Sequence, residues 1–412
     1  MGKDDEHSLL LNNARLVLPD RVVEEAAIQI KGERIAGIEA ASDGATDQTV
    51  VDLQGLTVFP GFIDVHIHGA LGVDTTDASA SALGSLARHL ATKGVTAWLP
   101  TFVPAATGTY QRSIAALAET ISKQASKSSG ARVLGVHYEG PFVSRLQCGA
   151  LHEEFFQTFS GAELDELPRV NLPEARHMMT VAPEIEGGIE LVKALRARGW
   201  IVSLGHTRAD LAVLDQALAA GARHMTHFMN AMAPLHHRSP GPIAWGLLHD
   251  DVTCDLIADG VHLDPNMLRL LLKLKGAERI TLISDAIAAT GFGDGDYPIW
   301  GETITVKDGK TSNVHGSIAG SVIMMDDAVR LMLALGASEP EAARMAATNP
   351  ARLLGLDHER GSIEIGKQAD LVVLDEAGKV QLTLVGGRKE YGTFRIFAGS
   401  TPRKTEWDEA VL

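Results

Sequence analysis

The residues of this chain best suited to chemistry are His66 and His68, which lie in Val58-Phe-Pro-Gly-Phe-Ile-Asp-Val-His-Ile-His-Gly69. Apolar Val58, Phe59, Phe62, Ile63, Val65 and Ile67 surround them, as in a strand buried in a core. Strand side chains alternate faces, so residues two apart present both imidazoles to the same side. Two neutral imidazoles at a strand end, followed by a glycine, suit one divalent metal. A bare His-x-His also occurs as a satisfied core or surface pair, so the pair needs partners elsewhere.

Such partners recur at the ends of other strand-like runs. Val133–Val136 lead into His137-Tyr138-Glu139-Gly140-Pro141, and Ile201–Leu204 end at Gly205-His206-Thr207. His224–Thr226 end at His227, with Asn230-Ala231-Met232 behind it. Leu256–Ala258 lead to Asp259-Gly260-Val261-His262, and Ile280–Ser284 end at Asp285. Asp259 reads as a turn or supporting residue rather than a ligand. His177, His224, His249, His315 and His358 lack partners in this pattern and read as surface or capping residues. Cys148 and Cys254 read as small buried hydrophobes.

The elements that must position these side chains follow a clear rhythm. Short β-like runs fill the first 60 residues, at Ser8–Leu18, Ala26–Ile30, Arg34–Glu39 and Thr49–Leu53, with a polar turn at Ser42–Gln48. Leu83, Leu86, Ala87 and Leu90 then follow helical spacing, Gly94 ends that helix, and Val95–Phe102 begins a strand. The cadence recurs at Leu191–Gly199 into Trp200–Leu204, and at Leu211–Gly221 into His224–His227. Further strands are expected at Arg132–Tyr138, Val252–Ala258 and Arg279–Ser284. Strands alternating with helices imply a parallel sheet wrapped by helices, and the number of units predicts a (β/α)8 TIM barrel whose C-terminal face gathers every residue named above. Gly291–Ser321 reads as a long excursion after the last barrel strand. Ala369–Leu374 and Val380–Val385 return to β-runs, so the N- and C-terminal segments are expected to join in a small β-sandwich domain. The expected limits are residues 1–59 and 355–412 for the sandwich and 60–354 for the barrel.

Composition narrows the classes of function. The chain has 412 residues, 45% of them hydrophobic, and 41 glycines, enough for a large core with many tight turns. Its net charge of −15 comes without a basic run, which offers no footprint for nucleic acid or an anionic membrane. Two cysteines suggest neither a disulfide framework nor a thiolate metal site. The N-terminus lacks a signal-peptide pattern, and no apolar run approaches the roughly 18 residues of a membrane span. A cytoplasmic enzyme is the expectation.

Pro60-Gly-Phe-Ile-Asp-Val-His-Ile-His-Gly69, His137-Tyr-Glu-Gly-Pro-Phe142, Gly205-His-Thr207, Thr226-His-Phe-Met-Asn-Ala-Met232, Ile257-Ala-Asp-Gly-Val-His262 and Ser284-Asp-Ala286 together resemble the amidohydrolase superfamily. Within it the chain is most similar to the family of N-acetylglucosamine-6-phosphate deacetylases. The likeness covers nearly the whole chain, including Ile318-Ala-Gly-Ser321 and Thr348-Asn-Pro-Ala-Arg352. It implies metal-dependent removal of the acetyl group from N-acetylglucosamine 6-phosphate, giving glucosamine 6-phosphate and acetate. By the same resemblance Glu139, His206 and His227 hold the metal that carries the attacking water. His66 and His68, with Glu139 bridging, hold a second. Members without the His pair work with one metal; here it is intact, which allows one or two divalent ions, zinc first, with iron or another divalent ion as alternatives. Asp285 is the implied general base and acid. Glu139 would replace the carboxylated lysine of many two-metal relatives, and no lysine stands at these strand ends.

For the substrate, the resemblance implies that His262 and the backbone amides of Asn230 and Ala231 bind the sugar and its phosphate. His237 and Arg238 would reach the phosphate, across the interface of a homodimer; an arginine fork suits that task. There is one departure. The family follows Glu-Gly-Pro with Gly-Ala-His, whose histidine helps polarise the substrate carbonyl, whereas this chain has Gly149-Ala150-Leu151-His152. Delivery of His152 by a loop, polarisation by the second metal and a changed substrate all remain open. Competing readings are a deacetylase of another N-acyl amino-sugar phosphate such as the galactosamine epimer, a D-aminoacylase or deaminase, and a non-catalytic scaffold. Asn-Ala-Met and His-His-Arg favour a phosphosugar, and five retained ligand positions plus Asp285 speak against a scaffold.

Overall fold

A computed structural model of the chain describes residues 8–41, 49–126, 129–392 and 394; Ser42–Gln48 and the extreme ends of the expected sandwich lie outside them. Parallel strands β1 (Phe62–Ile67), β2 (Val95–Phe102), β3 (Gly135–Glu139), β4 (Arg176–Val181), β5 (Ile201–Leu204), β6 (His224–Met225), β7 (Thr253–Ile257) and β8 (Ile280–Ile283) pair in sequence order. The ring closes where Asp285 N donates to His66 O (2.9 Å) and His68 N donates to Ala286 O (2.8 Å). This is the (β/α)8 barrel. β4 is a strand the sequence cadence does not single out, because the β3–β4 crossover holds only short turns, the 3-10 segments Arg145–Gln147 and Glu153–Phe155 and the single α-helical turn Glu163–Glu166.

The helices form for local reasons. Helix Ala80–Ala91 starts where Ser79 Oγ accepts from Ala82 N, buries Leu83, Leu86, Ala87 and Leu90, and is followed by left-handed Gly94. Helix Pro265–Lys275 has an Asp264 cap, proline in its first turn and left-handed Gly276 beyond its end. Inside the barrel the layers differ in chemistry. Ile63, Ala97, Met178, Ile257 and Ile283 fill the lower part and meet Ala351, Leu354 and Leu356, which plug the bottom. Polar side chains occupy the upper part, among them Thr180, Ser203, Thr226, His66, Glu139 and Asp285.

A second sheet joins the two ends of the chain, with Ser8–Val17, Val22–Lys31, Arg34–Ala40, Thr49–Asp52 and Thr57–Pro60 from the first and Leu371–Leu374, Val380–Val385 and Arg388–Gly392 from the second. Leu9, Leu11, Ile28, Ile30, Leu371, Val373, Leu382 and Leu384 share one core, so the sheet folds over itself as the expected sandwich. The excursion after β8 is a three-stranded antiparallel sheet, Gly295–Ile299, Glu302–Lys307 and Lys310–Ser312. Its apolar face packs on Ile287, Ala288 and Ala289, directly after Asp285. Among the described residues no helix is long and apolar enough to cross a membrane.

Candidate metal centre and active site

Two local devices aim the strand-end side chains. Asp64 Oδ1 accepts from His66 N (3.2 Å) and Ser284 N (3.3 Å), while Oδ2 accepts from Ser284 Oγ (2.5 Å). This carboxylate staples β1 to β8 beneath the site, and the β1–β2 register shifts between Asp64 and Ile67. The second device is backbone conformation. His206, His227 and Asp285 all take left-handed φ, at 48°, 29° and 51°. Each such residue costs on the order of 1 kcal/mol and persists only where its surroundings over-determine it. Asp285 is held on both sides, by its own amide to His66 O and by Ser321 N donating to its carbonyl (2.7 Å).

The side chains converge on Glu139. His206 Nε2 lies 3.0 Å and His227 Nε2 2.8 Å from Glu139 Oε1, with His66 Nε2 at 3.7 Å. His68 Nε2 lies 3.2 Å from Glu139 Oε2. Asp285 Oδ1 stands 3.3 Å from His66 Nε2 and 3.2 Å from His68 Nε2. Two buried ligand triads result, His66/His68/Glu139 and Glu139/His206/His227, sharing one carboxylate. The proton positions make the case for a cation. His206 Nδ1 faces Gln147 O at 2.7 Å, and His68 Nδ1 faces Thr101 O at 3.3 Å. A carbonyl only accepts, so each Nδ1 carries a proton and a neutral ring turns its Nε2 lone pair toward a carboxylate. Lone pair against carboxylate is repulsive unless a proton or metal ion lies between. These residues therefore fit a divalent ion in each triad.

The electrostatics agree. Burial alone would raise the Glu139 carboxyl, but the charge on His66 and the contacts with His206, His227 and His68 hold it well below the usual range. Burial opposes ionisation of Asp285 as well, and His66 and His68 outweigh it, so that carboxyl also sits below its ordinary value. Burial pushes His68 down, yet Asp285 and Glu139 together lift it to about 10, a measure of how strongly this site demands positive charge. His137 is no ligand. Its ring nitrogens face Val65 O (3.0 Å) and Thr180 Oγ1 (2.8 Å), and burial keeps it neutral, with its pKa well below the ordinary value.

The other expected site residues fall at varying distances from this centre. His262 Nδ1 meets Asp259 Oδ2 at 2.7 Å, and Asp259 Oδ1 accepts from Val261 N and His262 N, so Asp259 orients the ring. Asn230 N donates to His227 O (2.9 Å), which commits that backbone amide within the turn. The donor left to Asn230 is its side-chain Nδ2, buried and without a partner among the described residues. Ala231 takes a left-handed φ of 49° and its carbonyl accepts from Thr207 N. His237 and Arg238 sit on an exposed loop and contact each other, at 2.7 Å between Nε2 and Nη1. His152 Nδ1 faces Glu154 Oε1 (3.1 Å), and its Nε2 points toward Glu302 (3.9 Å) rather than into the cluster.

Several side chains depart from the sequence reading. His224 is fully buried inside the barrel against Asp255 (2.8 Å) and Thr253 (2.6 Å), not at the surface. Cys148 is partly exposed, whereas Cys254 is buried. Gln147 and Trp300, both at the centre, escape a motif search. Gln147 acts through its carbonyl, which carries no residue-type signal. Trp300 leaves only a faint trace, in Gly301 at a break between alternating residues, because tryptophan is not a usual first residue of a two-residue hairpin turn.

The amidohydrolase family model matches residues 57–389, and the chain belongs to that family. Relatives within it act on amino-sugar phosphates. An N-acetylglucosamine-6-phosphate deacetylase of Bacillus subtilis is 35% identical over 92% of this chain and 96% of that protein. An N-acetylgalactosamine-6-phosphate deacetylase of Escherichia coli O157:H7 is 36% identical over 92% of this chain and 98% of that protein. A mutant N-acetyl-D-glucosamine-6-phosphate deacetylase of Mycobacterium smegmatis, solved in complex with N-acetyl-D-glucosamine-6-phosphate, superposes with a TM-score of 0.85 at 30% identity, covering 93% of this chain and 99% of that one.

Proposed function

We propose that this enzyme hydrolyses the N-acetyl group of N-acetylglucosamine 6-phosphate to glucosamine 6-phosphate and acetate. The observation that carries the reading is the pair of triads sharing Glu139, with Asp285 against His66 and His68, in a chain related over nine-tenths of its length to amino-sugar-phosphate deacetylases. Glu139, His206 and His227 would hold one ion, and His66, His68 and Glu139 a second; zinc is the proposed metal, by its affinity for imidazole and carboxylate ligands. Such ions, when bound, polarise an amide carbonyl and bring the pKa of water near 7.

The chain's own residues do the rest. Asp285, ionised and buried, accepts the proton of the attacking water at Oδ1. As the tetrahedral centre collapses, Asp285 returns that proton to the amide nitrogen, the C–N bond breaks, and amine and acetate leave. His262, held by Asp259, and Asn230, through Nδ2, bind the sugar, with Ala231 shaping the turn beside them. Arg238 and His237 take the phosphate, across a homodimer interface, since they stand on an exposed loop and belong to neither ligand triad. His152 borders the same site on the loop that supplies Gln147. The proposed compartment is the cytoplasm, and the proposed domain limits are 1–59 with 355–412, and 60–354.

Acetate release from the 6-phosphates of N-acetylglucosamine and N-acetylgalactosamine, and from unphosphorylated N-acetylglucosamine, tests the proposal. The glucosamine phosphate should react fastest. Equal rates on the unphosphorylated sugar would remove the phosphate site. A faster galactosamine phosphate would favour the second reading, which the E. coli relative supports.

A further inference from the structure

The hairpin after β8 ends in a two-residue turn, since Ile299 pairs with Glu302 and Trp300-Gly301 lies between them. Both turn residues have left-handed φ, 53° and 81°, as a type I′ turn requires. Asparagine or glycine is the usual occupant of the first position; a tryptophan there is held against its preference. The turn sets the Trp300 indole edge-on to the His68 ring, with centroids 5.4 Å apart. Indole Nε1 is buried and has no hydrogen-bond partner among the described residues. Burial raises the Asp74 carboxyl, and the Trp300 N–H, as a donor close to it, works weakly against that rise, yet no hydrogen bond of good geometry joins the two, which leaves Nε1 short of an acceptor.

We propose that Trp300 is the acyl-recognition residue of this site, its ring forming the wall beside His68 and its N–H donating to the substrate's acyl oxygen. This rests on the hydrolase reading above. Placement favours the acyl group over the sugar. Asn230, His237, Arg238 and His262 follow β6 and β7, Asp285 marks the bond to be cut, and Trp300 lies beyond it on the β1 side. Chemistry favours an oxygen acceptor, because indole only donates, whereas Glu139 and Asp285 only accept and the imidazole Nε2 atoms face those carboxylates. The wall is also rigidly backed. Ala150 packs with Trp300 against the hairpin core, and His152 faces Glu302, the first residue after the turn. The loop carrying Leu151 thus leans on the hairpin, and Trp300 supplies a donor where Leu151 has none.

The test compares wild type with Trp300→Phe, which keeps a ring but removes the N–H, and Trp300→Ala, on N-acetyl- and N-butyryl-glucosamine 6-phosphate. A donor that strengthens as charge develops on the oxygen predicts a roughly 10- to 100-fold loss of kcat in Trp300→Phe with KM within threefold. A wall predicts that Trp300→Ala shifts the butyryl-to-acetyl preference at least tenfold toward butyryl. A second readout needs no turnover: in the Asp285→Asn background, N-acetylglucosamine 6-phosphate should change tryptophan fluorescence, and adding Trp300→Phe should abolish the change. Wild-type kcat in Trp300→Phe, unchanged acyl preference in Trp300→Ala, or fluorescence indifferent to Trp300 would each overturn the inference while leaving the hydrolase intact. A wild-type enzyme silent on both substrates would overturn the hydrolase reading and this inference together.

Discussion

Glu139 touches both ligand triads, and that position makes it the least replaceable residue of the centre. Glu139→Gln would leave an amide where two cations need a negative charge. Protein purified with metal should then retain fewer ions than either single-triad variant. His68→Asn, by contrast, should lower the metal content by about one ion while leaving the His206/His227 ion in place; elemental analysis after dialysis distinguishes these outcomes. Asp285 holds a different role, although it stands only 3.2–3.3 Å from His66 and His68. Asp285→Asn keeps the shape and removes the proton acceptor, so kcat should fall about 100- to 10,000-fold, the range expected of a general acid–base. Metal content should stay near wild type. An acetate assay beside metal analysis reads both, and near-normal turnover in Asp285→Asn would remove it from the mechanism.

The elements beneath these residues explain how firmly they are held. Gly320 has φ of +60°, and a Cβ there would come within 2.8 Å of Asp285 O and 2.5 Å of Ile287 Cγ2. The backbone oxygen cannot swing aside as a side-chain methyl can. Gly320→Ala should cost roughly 1–3 kcal/mol in stability and reduce kcat by displacing Asp285, readable by thermal denaturation and acetate release. On β4, His177 accepts from Val170 N through Nε2 (3.1 Å), stacks near Trp200, and is pushed down to about 4 by burial and then by Arg169. The unfolded chain binds its proton near pH 6.5, so this contribution is whole above that pH and is lost as pH falls toward 4. The loss is about 1–3 kcal/mol, and His177→Gln should flatten that part of the stability–pH curve. Seven of the eight barrel strands were legible because glycine-punctuated helix–strand cadence carries through local chemistry. β4 lacked a preceding helix to announce it. The clustering of the candidate ligands was legible because strand ends must face one rim, whereas the burial of His224 and the reach of Trp300 depend on contacts between distant segments that no local pattern encodes; the Asn230 amide is spent on a turn contact to His227 O, which residue type does not reveal.

At the scale of the whole molecule, the barrel and the sandwich are separated by strands that belong to both. In Leu371–Leu374, Val372 and Leu374 face the barrel's outer core, while Leu371 and Val373 face the sandwich core. Val58 and Phe59 divide in the same way on the neighbouring strand, which runs straight on into β1 and so into His66 and His68. Gly61 N donates to Asp370 O (2.8 Å) at that junction. Strands from the two ends of the chain thus brace the start of the strand that leads to His66 and His68, two of the five candidate metal ligands, and the wall cannot be completed until the C-terminal segment has arrived. Such a shared wall makes one cooperative unit the expectation. Val372→Ala and Val373→Ala empty opposite faces of the same strand, each at a cost of roughly 2 kcal/mol. Both should shift a single unfolding transition, seen alike by far-UV circular dichroism and by fluorescence from Trp98, Trp200 and Trp245 in the barrel. If Val373→Ala instead produced an early transition silent to those tryptophans, the sandwich would unfold independently, and its bracing of His66 and His68 would have to be given up.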